Sequence, residues 1–113
     1  MPRFLAVYTG TPPGPDEGPP SQETIARGMK AWQDWMEHHA SQIVDAGGPL
    51  GATKKASKDG ITDTKNNLSG YIIIEAASHD AAARLFENHP HFSIFPGEAV
   101  EIMTCPPVPT MDE

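Results

Sequence analysis

The chain has 113 residues, which suffices for one domain with a single modest core and argues against a second domain. Its 15 acidic and 8 basic residues give a net charge of −7, which repels nucleic acid and anionic membranes. Cys105 is the only cysteine, so no internal disulfide can form. The short apolar run before Thr9 is too short for a signal sequence or a membrane span. Composition therefore predicts a cytoplasmic protein without nucleic-acid or membrane partners.

The first half of the chain predicts a strand, a loop and a long helix. Residues 4–8 are apolar and rich in strand formers, and residues 11–20 form a proline-rich loop. Ser21 is a suitable N-cap for a helix over residues 22–46. Gly28 interrupts this helix, which indicates either close approach of another backbone or simple tolerance. Apolar or aromatic side chains recur on one face at steps of three and four residues: Ile25, Met29, Trp32, Met36, His39 and Ile43.

The second half predicts three strands and a shorter helix. A mixed segment over residues 49–57 is interpreted as a partly exposed strand, followed by a turn and a polar loop that runs to Ser69. Residues 70–76 form the clearest strand, because β-branched residues occupy both of its faces. Ser78 caps a helix that runs to Glu87, a strand covers residues 99–104, and an irregular tail begins at residue 106.

The order of these elements is strand, helix, strand, strand, helix, strand. This order predicts an α+β domain of ferredoxin-like βαββαβ topology, with a four-stranded antiparallel sheet and both helices on one face. Tyr71 and Ile73 make the second face of the central strand apolar as well. Because a monomer would expose that face, we expect a homodimer that pairs sheet to sheet.

Asp45 and His39 are the candidate catalytic residues. A carboxylate at the negative end of a helix dipole is unfavourable by roughly 0.3–1 kcal/mol, so Asp45 at the predicted helix end calls for another explanation. An Asp side chain can orient and tune a histidine that acts as a general base. Direct contact between the two requires the helix to end before Asp45, and a turn-forming Asp beside a core-flanking His is the alternative.

Three further residues are candidates for ligand binding. Trp35 flanks the apolar helix face and, with Tyr71, is expected to shape a pocket, although Trp35 also suits a core position. Lys54 lies in a lysine-rich segment that suits an anionic small molecule as well as a solvated loop. His89 and His91 can converge on a metal, but no further ligand motif accompanies them, and no metal or cofactor is predicted.

Several short motifs occur in an order that resembles the YCII-related family. They are the two tryptophans Trp32 and Trp35, Val-Asp-Ala-Gly-Gly-Pro at 44–49, Thr64-Lys65 before Leu68 and Gly70-Tyr71, and Pro96-Gly97-Glu98 before Val100-Glu101-Ile102. Members of the DGPF type carry Asp-Gly-Pro-Phe where this chain has Asp59-Gly60-Ile61-Thr62. The resemblance implies a ferredoxin-like fold that pairs into a dimeric α/β barrel. It also implies a His and Asp pair in a cleft beside the sheet, with Asp45 at the acidic position, and one relative is a dehydrochlorinase.

Two classes of function remain open on these residues. The first is a small-molecule enzyme that catalyses proton transfer, such as elimination or isomerisation, in a cleft between the first helix and the sheet. The second is a noncatalytic ligand-binding or protein-interaction module, for which Lys54 matters more than Asp45. A metal-dependent enzyme is a third hypothesis, and the identity of the small molecule is open in each case.

Overall fold

Four antiparallel strands form the main sheet in the computed structural model, which describes residues 1–10 and 20–107. The predicted proline-rich loop, apart from Pro20, and residues 108–113 of the predicted tail lie outside the described residues. The four strands are β1 (Arg3–Thr9), β2 (Ile43–Pro49), β5 (Leu68–Glu75) and β6 (Ala99–Thr104). Their order in the sheet is β2-β5-β1-β6, which is the order of a ferredoxin-like domain, so the predicted fold class is confirmed.

The helices pack on one face of this sheet and build the core there. They are α1 (Gln22–His38), α2 (His79–Arg84) and α3 (Pro90–Ser93). Alternation along β1 and β5 turns every second side chain toward the helices. Trp32 and Trp35 of α1 and Phe86 after α2 pack against these inward residues, which are Phe4, Ala6, Tyr8, Ile72 and Ile74.

The first helix is shorter than predicted, because it ends at His38 rather than near residue 46. Ser21 caps its start as expected, and the Ser21 side chain accepts a hydrogen bond from the Thr24 amide. A 3-10 turn over Ala40–Gln42 follows, and the chain then enters β2, where Ile43 pairs with Ile74 of β5. The β-branched Ile43 and Val44 fit the helical spacing, but pairing with the central strand overrides that pattern.

A separate hairpin replaces the predicted second strand over residues 49–57. It consists of β3 (Thr53–Ser57) and β4 (Gly60–Thr64), which pair with each other and with no strand of the main sheet. The place in the main sheet that was predicted for the strand over residues 49–57 belongs to β2, and part of the predicted polar loop forms β4.

The radius of gyration is 16.6 Å, whereas a compact domain of about 100 residues has roughly 13 Å, so the molecule is elongated.

The helix predicted to run to Glu87 is shorter than expected, and a further short helix that was not predicted follows it. Ser78 caps α2 as expected, but α2 ends at Arg84, and Asn88 takes a left-handed conformation with φ 57°. Pro90 then starts α3, since a missing amide hydrogen costs nothing at the first helical position. The side chain of His89 caps this last helix.

The other face of the sheet carries apolar side chains and no helix. Leu5 pairs with Ile73 and with Met103, and Val7 pairs with Tyr71, so all five share that face. Met103 is 40% exposed. The homodimer expected from this apolar face stays a prediction.

Candidate functional site

A cleft of about 740 Å³ lies between α1 and the sheet. Strand β2 borders it with Ala46, Gly48 and Pro49, where the pairing of β2 with β5 is irregular. Gly47 makes this irregularity possible, because its φ is +65° and a Cβ there would overlap the Tyr71 carbonyl oxygen. The other lining residues that matter for chemistry are Tyr8, Trp32, Gln33, Ser69, His91 and Phe95.

Tyr8 and Trp32 form an aromatic wall of this cleft. Their ring centroids are 5.1 Å apart, and alternation along β1 places Tyr8 on the helix-facing side of the sheet. Only 6% of Tyr8 is exposed, and burial raises the pKa of its phenol above the ordinary value. Tyr8 therefore stays protonated at neutral pH and can act as a hydrogen-bond donor.

His91 is a buried polar residue of the cleft wall, and its tautomer is set by a main-chain contact. Its Nε2 lies 2.8 Å from the Thr9 carbonyl oxygen. A carbonyl only accepts, so Nε2 carries a hydrogen and donates it, and in the neutral imidazole Nδ1 carries the lone pair. The Glu98 amide donates to the same Thr9 oxygen at 2.9 Å, which ties the loop before β6 to β1.

Gly97 allows this loop to close on the His91 side chain. A Cβ at position 97 would overlap both the imidazole ring and the carbonyl oxygen of His91. The Gly97 amide also donates to that carbonyl oxygen at 2.9 Å. The ring of His91 is therefore held by β1 on one side and by the loop on the other.

His89 lies directly behind the cleft and is fully buried among aromatic rings. Its ring centroid is 4.6 Å from that of Trp32 and 4.7 Å from that of Trp35, both in edge-on geometry. Its Nδ1 accepts a hydrogen bond from the His91 amide at 3.0 Å, so its hydrogen is on Nε2, which has no hydrogen-bond partner within residues 1–10 and 20–107. Burial, with smaller contributions from His91 and His39, lowers the pKa of His89 to about 4. His89 is therefore neutral at physiological pH.

Gly28 explains how Phe95 reaches the cleft. Gly28 is the only buried residue of α1, and a Cβ there would overlap the ring of Phe95. Phe95 lies 6.1 Å from Trp32 between ring centroids and lines the cleft. The close approach predicted at Gly28 is present, but a side chain makes it rather than a backbone.

The candidate catalytic pair lies apart from the residues that line the cleft. Asp45 is exposed on edge strand β2, and its Oδ1 accepts a hydrogen bond from the Gly47 amide at 2.8 Å. It is not at a helix end, so the dipole argument that singled it out does not apply. His39 follows α1, and its Nδ1 lies 3.4 Å from Oε1 of Gln42. Among the described residues, no hydrogen bond or ion pair joins Asp45 to His39, and their catalytic role stays a prediction.

The candidate ligand-binding residues lie in three different environments. Trp35 packs in the core, and its Nε1 donates to the Leu85 carbonyl oxygen at 2.8 Å. Tyr71 borders the cleft, whereas strand alternation places its ring on the helix-free face beside Val7. Lys54 is on the hairpin, where it pairs with Asp63 at 2.7 Å. Their roles in binding stay predictions.

Tyr8, His91 and Phe95 are the site residues that sequence reasoning missed. Tyr8 shares the alternating face of Phe4 and Ala6, which was a usable signal. His91 was considered only as a metal ligand, because nothing near it in sequence indicates its contact with Thr9.

In the described part of the chain, no cluster of three or more His, Cys, Asp or Glu side chains suits a metal ion. No helix among the described residues is long and apolar enough to cross a membrane.

Comparison with known proteins supports the fold and identifies the family. A similar solved structure is 5-chloro-2-hydroxyhydroquinone dehydrochlorinase (TftG) from Burkholderia phenoliruptrix AC1100, in complex with 2,5-dihydroxybenzoquinone. It is 22% identical, covers 88% of this chain and 89% of its own, and has a TM-score of 0.51, so it supports the fold alone. No protein of curated function matches. The profile of the YCII-related domain matches residues 15–105, and the chain therefore belongs to the YCII-related family.

Proposed function

We propose that this protein is an enzyme that binds a small, planar, hydroxylated ring in the cleft and moves a proton through His91. The observation that carries the proposal is a histidine of fixed tautomer in the wall of an aromatic cleft. The same pocket suits the proton-transfer reactions expected from the sequence, namely elimination and isomerisation. The residues assigned to the reaction are His91 as base and Tyr8 as hydrogen-bond donor.

The hydrogen bonds of His91 support its role as the base. With Nε2–H donated to the Thr9 carbonyl, Nδ1 is the basic atom of the neutral ring. When Nδ1 takes a proton, the resulting imidazolium strengthens its bond to that carbonyl, because a charged donor makes a stronger hydrogen bond. The main chain of β1 thus orients the ring and stabilises its charged form.

Aromatic walls and a protonated phenol suit a planar substrate. Rings of Tyr8, Trp32 and Phe95 offer faces for stacking, which contributes about 0.5–1.5 kcal/mol per pair beyond area burial. The phenol of Tyr8 can donate to an oxygen on the substrate ring and stabilise negative charge that develops there. TftG, which has the same fold, was solved with a dihydroxybenzoquinone and is named for a chlorinated hydroxyhydroquinone.

The proposed step balances without an external reductant or oxidant. Nδ1 of His91 takes a proton from a ring hydroxyl or a ring carbon, and the electron pair of that bond moves into the ring. In an elimination, a leaving group departs with its own bonding pair, so the net loss is one acid molecule. In an isomerisation, the proton returns to a different ring atom. Tyr8 stabilises the oxyanion that forms in either case.

The experiment that tests this proposal uses 2,5-dihydroxybenzoquinone as the probe. Its binding can be followed by isothermal titration, and exchange of its ring protons with D₂O by NMR. We expect Trp32→Ala to weaken binding by roughly tenfold, as loss of a large aromatic contact does. We expect His91→Gln to bind the probe within about threefold of wild type but to lose exchange by roughly 100-fold or more.

The same assay separates the other hypotheses. Exchange that survives in His91→Gln but falls in Asp45→Asn or His39→Gln would favour the predicted pair over His91. Binding without exchange in the wild-type protein would favour a noncatalytic binding module. A loss of binding in Lys54→Ala would support the predicted anion contact on the hairpin.

We also propose that the protein is a homodimer whose two sheets face each other. The support is the apolar face that the helices leave uncovered, with Leu5, Val7, Ile73 and Met103 on it. Met103→Glu places a charge on this apolar face, on edge strand β6, and is expected to weaken association. Sedimentation velocity at several concentrations measures that effect.

A further inference from the structure

We propose that Phe95 determines the ring size that the cleft prefers, and that Gly28 is the seat on α1 that holds the Phe95 ring. This inference rests on the proposed function, because it names the size of the planar ring that the cleft binds. It adds a specificity-determining residue that takes no part in proton transfer. With Phe95 on its seat, the cleft prefers a single six-membered ring over a fused pair of rings.

Phe95 lies on the side of the cleft that is opposite to strand β2. The strand order β2-β5-β1-β6 gives the order of the lining residues across the sheet. Pro49 is on edge strand β2, Gly70 is on β5 and Tyr8 is on β1, whereas Phe95 is in the loop that leads into β6. His91 lines the cleft from α3, just before this loop. A ring that is held at His91 is therefore held near Phe95 as well.

The main chain holds Phe95 in this position. The Phe95 amide donates to the Pro90 carbonyl oxygen at 2.9 Å, and the Gly97 amide donates to the His91 carbonyl oxygen at 2.9 Å. Pro90 and His91 are both buried, so the loop is joined to a fixed part of the molecule. Phe95 itself is half-buried. Its ring can therefore change place by rotation about the side-chain bonds, while the backbone stays where it is.

Gly28 gives the ring of Phe95 a place against the backbone of α1. Gly28, Trp32 and Trp35 are spaced by four and three residues, so they share one face of the helix. Gly28 is buried, and a Cβ there would overlap the tip of the Phe95 ring. Glycine inside a helix is less stable than alanine, and the contact with Phe95 gives a reason for its presence.

This seat decides how far the Phe95 ring reaches into the cleft. With glycine at position 28, the ring centroid lies 6.1 Å from that of Trp32. A methyl group at position 28 would displace the ring, and the cleft is open space beside it, since Met29 and Trp32 line the cleft from the same helix. A smaller side chain at position 95 would instead leave the seat empty and extend the cleft along α1. The two substitutions change the cleft in opposite directions.

Two planar probes that differ by one ring test the inference. They are 2,5-dihydroxybenzoquinone, with one ring, and 2-hydroxy-1,4-naphthoquinone, with a second ring fused to the first. Isothermal titration gives both dissociation constants, and their ratio measures the ring-size preference. We expect Phe95→Ala to shift this ratio toward the two-ring probe by about tenfold, which is the discrimination that a small change in pocket size gives. Gly28→Ala should shift it toward the one-ring probe by at least about threefold.

The controls separate the seat from other effects of the substitutions. In the double variant of Gly28→Ala and Phe95→Ala there is no ring to displace, so its ratio should equal that of Phe95→Ala. Phe92→Ala removes the same kind of ring from an exposed position on α3 that lies outside the described lining of the cleft, and its ratio should stay at the wild-type value. Phe95→Leu keeps more of the packing and should shift the ratio in the same direction as Phe95→Ala.

A measurement without ligand tests the seat itself. Alanine favours the helix over glycine, so Gly28→Ala should raise the thermal midpoint when Phe95→Ala has removed the ring. In the wild-type background the same change also displaces the ring and should raise the midpoint less. Equal shifts in the two backgrounds would show that the Phe95 ring does not rest on Gly28 in solution, and would overturn the inference.

The binding results distinguish failure of this inference from failure of the proposed function. An unchanged ratio in both Phe95→Ala and Phe95→Leu would overturn the inference, and so would an unchanged ratio in Gly28→Ala, because the displaced ring would then have turned to solvent. In those cases the proposed function stands if the one-ring probe binds the wild-type protein and its exchange depends on His91. A wild-type protein that binds neither probe would overturn both.

Discussion

The cleft end of the sheet and the β3–β4 hairpin, which we call the arm (residues 53–64), differ in how deeply their side chains are buried. At the cleft, Tyr8 and His89 are buried, and Gly28, Gly47 and Gly97 each fit against a neighbouring group. On the arm, Ile61 is 74% exposed and Gly60 has no atom within 4 Å of a built Cβ. The comparison teaches that the body is fixed by its own packing, whereas the side chains of the arm are exposed. Substitutions should therefore cost more stability in the body than on the arm.

The largest loss of stability is expected for a substitution of Gly47 in β2. Gly51, near the root of the arm, is the matched control. Gly47→Ala forces a Cβ onto the Tyr71 carbonyl at φ +65°, and we expect a loss of about 4 kcal/mol. Gly51 has open space around it, so Gly51→Ala should change stability by less than about 1 kcal/mol. Urea denaturation of the two variants measures the difference. Equal losses would show that the body is no more tightly specified than the root of the arm.

Acid should destabilise the body through His89. Because burial lowers the pKa of His89 to about 4 from 6.5, the unfolded state binds its proton first as the pH falls. The contribution of His89 to the free energy of unfolding is fully present above about pH 6.5. It is lost, by up to about 3 kcal/mol, as the pH falls to about 4. The groups that face this ring include Tyr8, His91 and His39, of which the two histidines oppose its protonation further.

The control for this prediction is His89→Phe, which fills the same aromatic site without a titrating group. We expect its stability to depend less on pH between 4 and 6.5, although loss of the Nδ1 acceptor costs about 1 kcal/mol at neutral pH. Urea midpoints at the two ends of that pH range test both statements. A variant with the full wild-type slope would assign the acid sensitivity to other groups.

A smaller effect is expected where Trp35 anchors α1 to the chain after α2. Trp35→Phe keeps an aromatic ring but removes the donor to the Leu85 carbonyl, so stability should fall by about 1–2 kcal/mol. The matched change on the arm is Ile61→Ser, which should alter stability by less than about 0.5 kcal/mol because the side chain is exposed. Thermal unfolding of the two variants at one protein concentration compares them. An equal loss for Ile61→Ser would mean that the arm packs in solution against something already present.

The elements that the sequence predicted are those whose own residues determine them. Residues 4–8 and 70–76 are dense in strand formers, and Ser21 and Ser78 cap helices through local hydrogen bonds. These features need no information from distant residues. The order of elements then limits the topology to the ferredoxin-like one, which the strand order confirms.

The elements that the sequence did not predict depend on partners far along the chain. Ile43 continues the helical spacing of α1, but its pairing with Ile74 assigns it to β2. The donor bond of His91 reaches Thr9, 82 residues away, and Gly97 closes over the same ring. A local pattern contains no signal for such a contact. The cleft between α1 and the sheet was therefore predictable in position, whereas the histidine in its wall was not.

The smallest expected effect concerns the ion pair on the arm. Lys54 and Asp63 lie 2.7 Å apart with side chains that are 73% and 83% exposed, and exposed pairs contribute about 0.2–1 kcal/mol. A double-mutant cycle of Lys54→Ala and Asp63→Ala should give a coupling in that range at low salt and less at high salt. A coupling well above about 1 kcal/mol, or one that salt does not reduce, would mean that the pair is shielded from solvent.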